Sequence, residues 1–425
     1  MKITFFSATD GPAGAGLGAL RLHRAFRALG QESILAVWNK TSFDEDVVSV
    51  AGPEAWSRVW QIAQRCQVYL LNRRYRQKVF FDYDSLAAPW SKIKRCGQGA
   101  DVVQFGWING LLNSSQILRL SNLTHGPVVW SLMDHAPLTG GCHYTGGCRR
   151  FADRCGCCPI LGSQNPHDLS ARILARKRAN LGRVRLGLVA GSKQDEALAR
   201  QSSLFAQTPT TVIPVPVDAE VFRPVNPAAA REVLGLPIEP RLIFFGAFSI
   251  WEERKGIRYL IEALQILSRE QPDLAGQCQL LVAGRQAPKE LLALPFKIHQ
   301  LGVLGDQRSL ALAYQSADLF VSPSVDDSGP MMVLESLLCG TPIAAFPIGY
   351  AADLLPQHRV GGLAKLADAH SLAKTLYDLL ALPRASFQAM RAQVRQTAVD
   401  YCSMPVVAKR YLAFYESLRR PLAPS

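Results

Sequence analysis

Two acids with seven residues between them, Asp327 and Glu335, bracket a stretch suited to gripping hydroxyl groups: Asp327-Ser328-Gly329-Pro330-Met331-Met332-Val333-Leu334-Glu335. A carboxylate can accept two hydrogen bonds at once, which matches the paired hydroxyls of a sugar or a ribose. The polar, glycine-containing loop runs into a helical pattern, and a helix start offers unpaired backbone N–H groups and the positive end of a dipole. Surface helix-capping acids would account for the same letters if nothing else were present. Upstream, Arg254-Lys255-Gly256 also precedes a helical pattern. Cations at such a point can offset negative charge that builds up on a leaving phosphate, although such pairs are commonly solvated.

A third acid, Asp134, follows an apolar run and opens the segment Asp134-His135-Ala136-Pro137-Leu138-Thr139-Gly140-Gly141-Cys142-His143-Tyr144. Five of the ten cysteines lie between 142 and 158. Cys142, Cys148, Cys155 and Cys158 could supply four thiolates to a structural zinc ion, with Cys157 spare and His143 a substitute ligand. Only Cys155-x-x-Cys158 has the tight spacing of a zinc knuckle. A disulfide-stapled loop and a set of small buried residues are the competing readings.

These residues need elements to hold them. Apolar runs at Ile3–Phe6, Ser33–Trp38, Val102–Phe105, Val128–Leu132 and Leu186–Ala190 read as buried strands. A second series follows Ile213-Pro214-Val215-Pro216: Arg241–Gly246, Gln279–Gly284, Leu319–Ser322 and Pro342–Phe346. Helical patterns lie between them, and strands alternating with helices predict parallel sheets covered on both faces. The expected division is 1–214, with a cysteine-rich insertion at 140–160, then 215–395, then a C-terminal helix in 396–425 packing back toward the first domain. In open sheets of this kind ligands bind beyond the carboxyl ends of the strands.

Gly14-Ala15-Gly16-Leu17-Gly18-Ala19, after the first strand, matches a dinucleotide fingerprint if alanine is allowed at its end. The fingerprint also wants an acid after the second strand, to hold a ribose hydroxyl. That strand ends in Trp38-Asn39-Lys40, with no acid. A nicotinamide or flavin site is therefore not expected. A tight turn packing helix on strand, or a phosphate or acceptor contact through Gly14 and Gly16, remain the two readings.

The segment from Asp327 to Glu335 resembles the donor site of the family-4 retaining glycosyltransferases, whose hallmark is two glutamates separated by seven residues. The resemblance implies a GT-B architecture, with two Rossmann-like, doubly wound α/β domains facing across a cleft. Glu335 matches the glutamate that holds the donor ribose, and Asp327 falls on the one that contacts the transferred sugar. Here the first acid is Asp, and the usual Gly-Phe-Gly is replaced by Ser328-Gly329-Pro330, with Met331 next. Phe245-Gly246-Ala247-Phe248 followed by Glu253-Arg254-Lys255-Gly256 is similar to the family's strand and loop. It implies a backbone contact at Gly246 and diphosphate contacts at Arg254 and Lys255. Thr139-Gly140-Gly141-Cys142-His143-Tyr144 resembles a subset that builds polysaccharides, in which Asp134 matches the acid after the strand. Many members carry a histidine near this point. Met133 precedes Asp134 here, so His135 is the candidate sugar or acceptor contact. The resemblance further implies transfer with retention from a UDP- or GDP-sugar to a glycan or lipid-linked acceptor, with no metal or other cofactor obligatory for catalysis.

The formal charge of +13 attracts anions of several kinds. Between Trp56 and Lys78 there are six basic residues and no acid, interleaved with Trp56, Val59, Trp60 and Ile62. Such a helix suits an anionic membrane surface or a lipid-diphosphate acceptor; a docked helix with a solvated basic face is the plainer reading. No run of eighteen apolar residues occurs, and the N-terminus reads as a strand rather than a signal peptide. A cytoplasmic, peripherally membrane-associated enzyme is the expectation. A GT-B-fold nucleotide-sugar 2-epimerase is one alternative. A zinc-bearing nucleic-acid-binding protein is another, disfavoured because the basic residues are dispersed without aromatic stacking partners.

Overall fold

The computed structural model describes residues 1–11, 14–52, 62–63, 66, 69–70, 81–85, 87–124, 126–247, 250–358 and 360–419. Most of the basic segment from Trp56 to Lys78 lies outside the described residues. The chain forms two compact units, Met1–Ile213 with Val407–Ser425, and Pro214–Val406.

The first unit holds seven parallel strands: β1 (Lys2–Thr9), β2 (Glu32–Asn39), β3 (Val47–Ser49), β4 (Val102–Phe105), β5 (Val128–Leu132), β6 (Leu186–Ala190) and β7 (Thr210–Val212). Their order is β3-β2-β1-β4-β5-β6-β7. The second unit has β8 (Arg241–Gly246), β9 (Cys278–Ala283), β10 (Lys297–Gly302), β11 (Leu319–Ser322), β12 (Ile343–Ala345) and β13 (Gly361–Leu363). These too are parallel, in the order β10-β9-β8-β11-β12-β13. In both sheets the strand order reverses beside the first strand, at β1/β4 and at β8/β11. This is the switch point beside which open α/β sheets bind ligands. The central strands β4, β5, β6, β11 and β12 are buried at every position, as near-continuous apolar runs require.

The helices that bear on the site and on the domain boundary are α1 (Gly14–Ala28), α2 (Leu169–Leu181), α3 (Ile257–Glu270), α4 (Gln307–Ser316), α5 (Met331–Leu338), α6 (Tyr350–Leu354), α7 (Arg384–Cys402) and α8 (Met404–Arg419). The C-terminal stretch divides at Ser403. Val394, Ala398 and Cys402 of α7 join the core of the second unit, and from Val407 the chain belongs to the first. There Tyr411 and Tyr415 are buried. Tyr415 donates to Gln104 Oε1 at 2.8 Å, Gln104 donates to Ser131 Oγ at 2.8 Å, and the Ser131 and Tyr411 hydroxyls pair at 2.8 Å. Every hydroxyl in this buried chain has a partner, so the network fixes α8 on β4 and β5 without a desolvation penalty left over.

Candidate functional site

Of the polar groups that the spacing singled out in the second unit, Arg254, Lys255 and Asp327 meet at the carboxyl ends of β8 and β11. β8 ends at Gly246, and a short 3₁₀ turn, Glu253–Lys255, leads into α3. β11 ends at Ser322, and the loop through Asp327 leads to Pro330, the N-cap of α5. The two loops are tied together by Val325 N–H donating to the Arg254 carbonyl at 2.8 Å. Side chains reinforce the tie: Arg254 Nη1 and Lys255 Nζ donate to the same oxygen of Asp327, at 2.9 and 2.6 Å. Arg254 also pairs with Glu252 at 2.7 Å. The Asp327 side chain is 10% exposed, and the two cations are about a quarter exposed, at 25% and 23%. They therefore reach solvent while the acid between them scarcely does.

Past Asp327 the backbone turns in a way only glycine tolerates. Gly329 has φ +129°, and a Cβ there would lie 2.7 Å from the Tyr350 ring. Tyr350 is buried, and its hydroxyl accepts from Val215 N–H at 3.1 Å. Among the described residues the buried Ser328 hydroxyl has no hydrogen-bond partner. Such an orphan in a native site calls for a group to complete it. Glu335 lies on the buried face of α5, 3% exposed, where the Tyr314 hydroxyl of α4 donates to Oε2 at 3.5 Å. Met332 of the same helix packs over Gly246.

In the first unit the glycine-rich turn serves close packing. Gly16 opens α1 against the end of β1, where a Cβ would meet Gly11 N at 2.8 Å and the Thr9 side chain at 2.9 Å. Gly14 has φ +57° and nothing near its missing Cβ. Asp10, which sequence reasoning passed over, clamps the end of β1 to the loop after β2. It accepts from Thr41 N–H at 2.6 Å, the Thr41 hydroxyl at 3.0 Å and Ser42 N–H at 2.8 Å. Burial opposes its charge, but these hydrogen bonds outweigh it and hold the carboxyl below the usual range.

Asp134 follows β5, with both oxygens engaged. Oδ1 accepts from Ala136 N–H at 2.8 Å; Oδ2 faces Trp107 Nε1 at 2.9 Å and His143 Nδ1 at 2.5 Å. The other ring nitrogen of His143 lies 3.2 Å from Asn109 Nδ2. His135, the candidate from the sequence, does not meet Asp134 in this way. Its Nε2 faces Asp195 Oδ1 at 3.2 Å, both side chains buried. His143, Asn109, Trp107 and Asp195 were not foreseen in these roles. The Thr139–Tyr144 motif put His143 in view, but only a fold could pair it with an acid nine residues earlier.

The expected zinc ligation at Cys142, Cys148, Cys155 and Cys158 is corrected by the structure. Among the described residues no group of three or more His, Cys, Asp or Glu is placed to hold a metal ion. All ten cysteines are free thiols, which also removes the disulfide-stapled reading. Burial pushes the Cys142 thiol up to about 12 and Cys155 to about 11, and raises Cys158 as well. What shapes the loop is Asp168, the N-cap of α2, which accepts from Cys158 N–H at 2.8 Å, with Ser170 accepting from Gly156 N–H at 3.0 Å. Cys158 itself packs in a small cluster with Phe81, Leu161 and Ile173.

Residues 239–381, wholly within the second unit, match the family model described as Glycosyl transferases group 1. A D-inositol 3-phosphate glycosyltransferase of Thermobispora bispora is 34% identical over 206 residues, 44% of this chain and 46% of that protein. The chain thus spans about half the length of the curated relatives it matches at that level. The provisionally named colanic acid biosynthesis glycosyl transferase WcaC of Escherichia coli is 23% identical over 427 residues, 98% of this chain and 100% of that one. Among solved structures, Anabaena HepE in complex with UDP aligns with a TM-score of 0.67 at 16% identity, covering 98% of this chain and 100% of that chain. At that identity the likeness is one of fold.

Proposed function

We propose that this GT-B-fold chain, whose second unit is a family-4-like glycosyltransferase domain, moves a sugar with retention from a UDP- or GDP-sugar to a glycan or lipid-linked glycan in surface polysaccharide assembly. The observation that carries the reading is the shared hold of Arg254 and Lys255 on Asp327 beside the start of α5. Two half-buried cations at a sheet switch point suit a diphosphate, whose leaving charge they offset as the sugar–phosphate bond breaks. Glu335, buried one helix face away, would hold the ribose hydroxyls. Asp327 would face the sugar, with Ser328, Gly329, Pro330 and Met331 lining it and Gly246 giving backbone room. Gly14 and Gly16 keep the turn after β1 close enough for a further donor or acceptor contact.

No described helix is long and apolar enough to cross a membrane. We place the enzyme at the cytoplasmic face of an anionic membrane, in peripheral contact. Supporting this, Ile62, Tyr69 and Leu70 are helical and 58%, 65% and 62% exposed. The sequence around them is basic, as suits an anionic surface.

A thermal-shift screen of UDP- and GDP-sugars tests the reading, because a bound donor stabilises the native state by mass action. One nucleotide class should raise the Tm of the wild type and do so much less in Glu335→Ala. A chain that no nucleotide sugar stabilises, and that consumes none when polysaccharide precursors are supplied, is not this enzyme.

A further inference from the structure

The cysteine-rich insertion and α2 carry a charge for which the transfer chemistry has no use. From Arg149 to Arg178 the sequence has seven cations and two acids. Lys177 is buried on the Ala136 carbonyl at 2.8 Å and Asp82 at 3.4 Å, and Asp168 is buried as the cap of α2. Six arginines face solvent, Arg149, Arg150, Arg154, Arg172, Arg176 and Arg178, and Asp153 is the exposed acid of that stretch. These side chains belong to one surface. Arg178 donates to the Asp153 carbonyl, and further along the helix Gly156 N–H donates to Ser170 Oγ at 3.0 Å. The insertion therefore lies along about 12 Å of α2, eight residues at the helical rise. The scaffold under the arginines is fixed. Phe151 is buried, its carbonyl accepts from Ser203 N–H at 3.2 Å and from the Ser203 hydroxyl at 3.0 Å, and Arg150 reaches the Gly156 carbonyl at 3.4 Å.

We propose that this arginine surface binds a carboxylate-bearing polysaccharide, a hydrated polyanion that presents its charges along a line. Two features choose that partner. Every exposed cation of the stretch is arginine and none is lysine, and the guanidinium fork pairs with a carboxylate through two parallel hydrogen bonds, which an ammonium cannot do. Among the described residues from 126 to 224, no large apolar side chain is exposed. The surface thus has nothing to insert into a bilayer, unlike the basic segment around the exposed Ile62, Tyr69 and Leu70, and no ring on which a nucleic-acid base could stack. A row of charges on a rigid support fits a chain of acidic sugars better than a single one. That the bound chain is the growing acceptor rests on the transferase reading; that an acidic glycan binds does not.

The test titrates the full chain, at physiological salt so that distant charges are screened, with four probes: polygalacturonate, neutral dextran of similar length, a short DNA duplex, and vesicles containing phosphatidylserine. Polygalacturonate should bind and dextran should not. The triple variant Arg149→Gln, Arg154→Gln, Arg172→Gln should weaken polygalacturonate about tenfold, the combined scale of three exposed charge contacts, and leave vesicle binding unchanged. A control that loses the same charge from the second unit, Arg269→Gln, Lys289→Gln, Lys374→Gln, should weaken polygalacturonate less than about twofold. All six side chains are exposed, so both variants should melt with the wild type. Equal losses in the two triples would mean that net charge alone attracts the polymer. A duplex that binds more tightly than polygalacturonate and loses more in the first triple would make the surface one for nucleic acid, and release of vesicles by that triple would make it a membrane face. Each of these overturns the proposal, as does polygalacturonate that binds the first triple as it binds the wild type, or dextran that binds equally well. Stabilisation by UDP- and GDP-sugars is read separately, so its absence removes the transferase reading and leaves the polysaccharide surface standing.

Discussion

Lys255 Nζ lies 2.6 Å from Asp327 Oδ2, the oxygen that Arg254 also holds at 2.9 Å, so one carboxylate occupies both cations of the loop. On the proposed reading a diphosphate competes with Asp327 for them. Asp327→Asn removes that competition while leaving the side chain's shape. UDP or GDP should then bind several-fold tighter, because a nearby anion no longer opposes the phosphates. The gain stays modest since both cations are partly solvated. Transfer should slow by about tenfold or more if the carboxylate also steadies the sugar as charge develops. Calorimetry with the free nucleotide and an initial-rate assay separate the two effects. Weaker nucleotide binding would show that Asp327 organises the cations instead of competing with a ligand for them.

Glu335 gives the converse case. It is buried on α5 and backed by Tyr314. Glu335→Gln keeps the packing but turns a charge-assisted acceptor into a neutral amide, for about a tenfold loss of donor affinity. Its Tm without ligand should stay within a few degrees of wild type, because the substitution is nearly isosteric. A variant that binds UDP- and GDP-sugars as the wild type does would take Glu335 out of the donor site.

The elements the sequence made legible and those it hid divide along a physical line. Apolar runs announced β1, β2, β4, β5, β6, β8, β9, β11 and β12, which are buried along most or all of their length. The strands without a clear signature, β3, β7, β10 and β13, are the four edges of the two sheets. β10 shows why: Lys297, Gly302 and Gln300 are exposed and the rest half-buried, so no apolar run is needed and backbone pairing alone defines it. The candidate site was legible where it is local, as in the placing of Arg254-Lys255 and Asp327 after two strands whose ends bring them together. It was illegible where long-range contacts decide. Nothing near His135 says that Asp195 claims it, and clustered cysteines look alike in sequence whether they bind metal or fill a loop.

Gly329 tests how tightly the loop before α5 is built. Gly329→Ala places a methyl group where Tyr350 already stands and forces alanine to φ +129°. Strain and overlap together should cost about 2–4 kcal/mol, lowering the melting temperature of the second unit by about 5–10 °C. Tyr350→Ala in the same chain relieves the overlap but not the dihedral, so it should restore little. Full stability in Gly329→Ala would mean the loop turns elsewhere.

The buried thiols make a prediction about pH whose sign can be worked out. Burial is the leading cause that pushes Cys142 and Cys278 up to about 12 and Cys155 to about 11, from an ordinary thiol value of 9.0. In the unfolded chain these groups lose their protons near pH 9, while in the native state they keep them. The unfolded state therefore binds fewer protons above pH 9, and stability falls as pH rises. The thiols' contribution is fully present below pH 9 and is lost between about 9 and 12, at up to about 1.4 kcal/mol per pH unit for each group. Tyr411 and Tyr415, raised by the same burial, add to the slope above pH 10. Denaturant melts from pH 8 to 11 should show a steep decline beginning near 9. Cys278→Ala should be less sensitive to pH over that range, because it removes one of the titrating thiols from the core of the second unit. In native protein at pH 8, iodoacetamide should modify the exposed Cys66 well before Cys142, Cys278 or Cys339. A chain equally stable at pH 8 and 11, or one whose buried thiols react as fast as Cys66, would mean that these cysteines are solvated in solution. The loop from Cys142 to Cys158 would then need some other source of order than burial and the Asp168 cap.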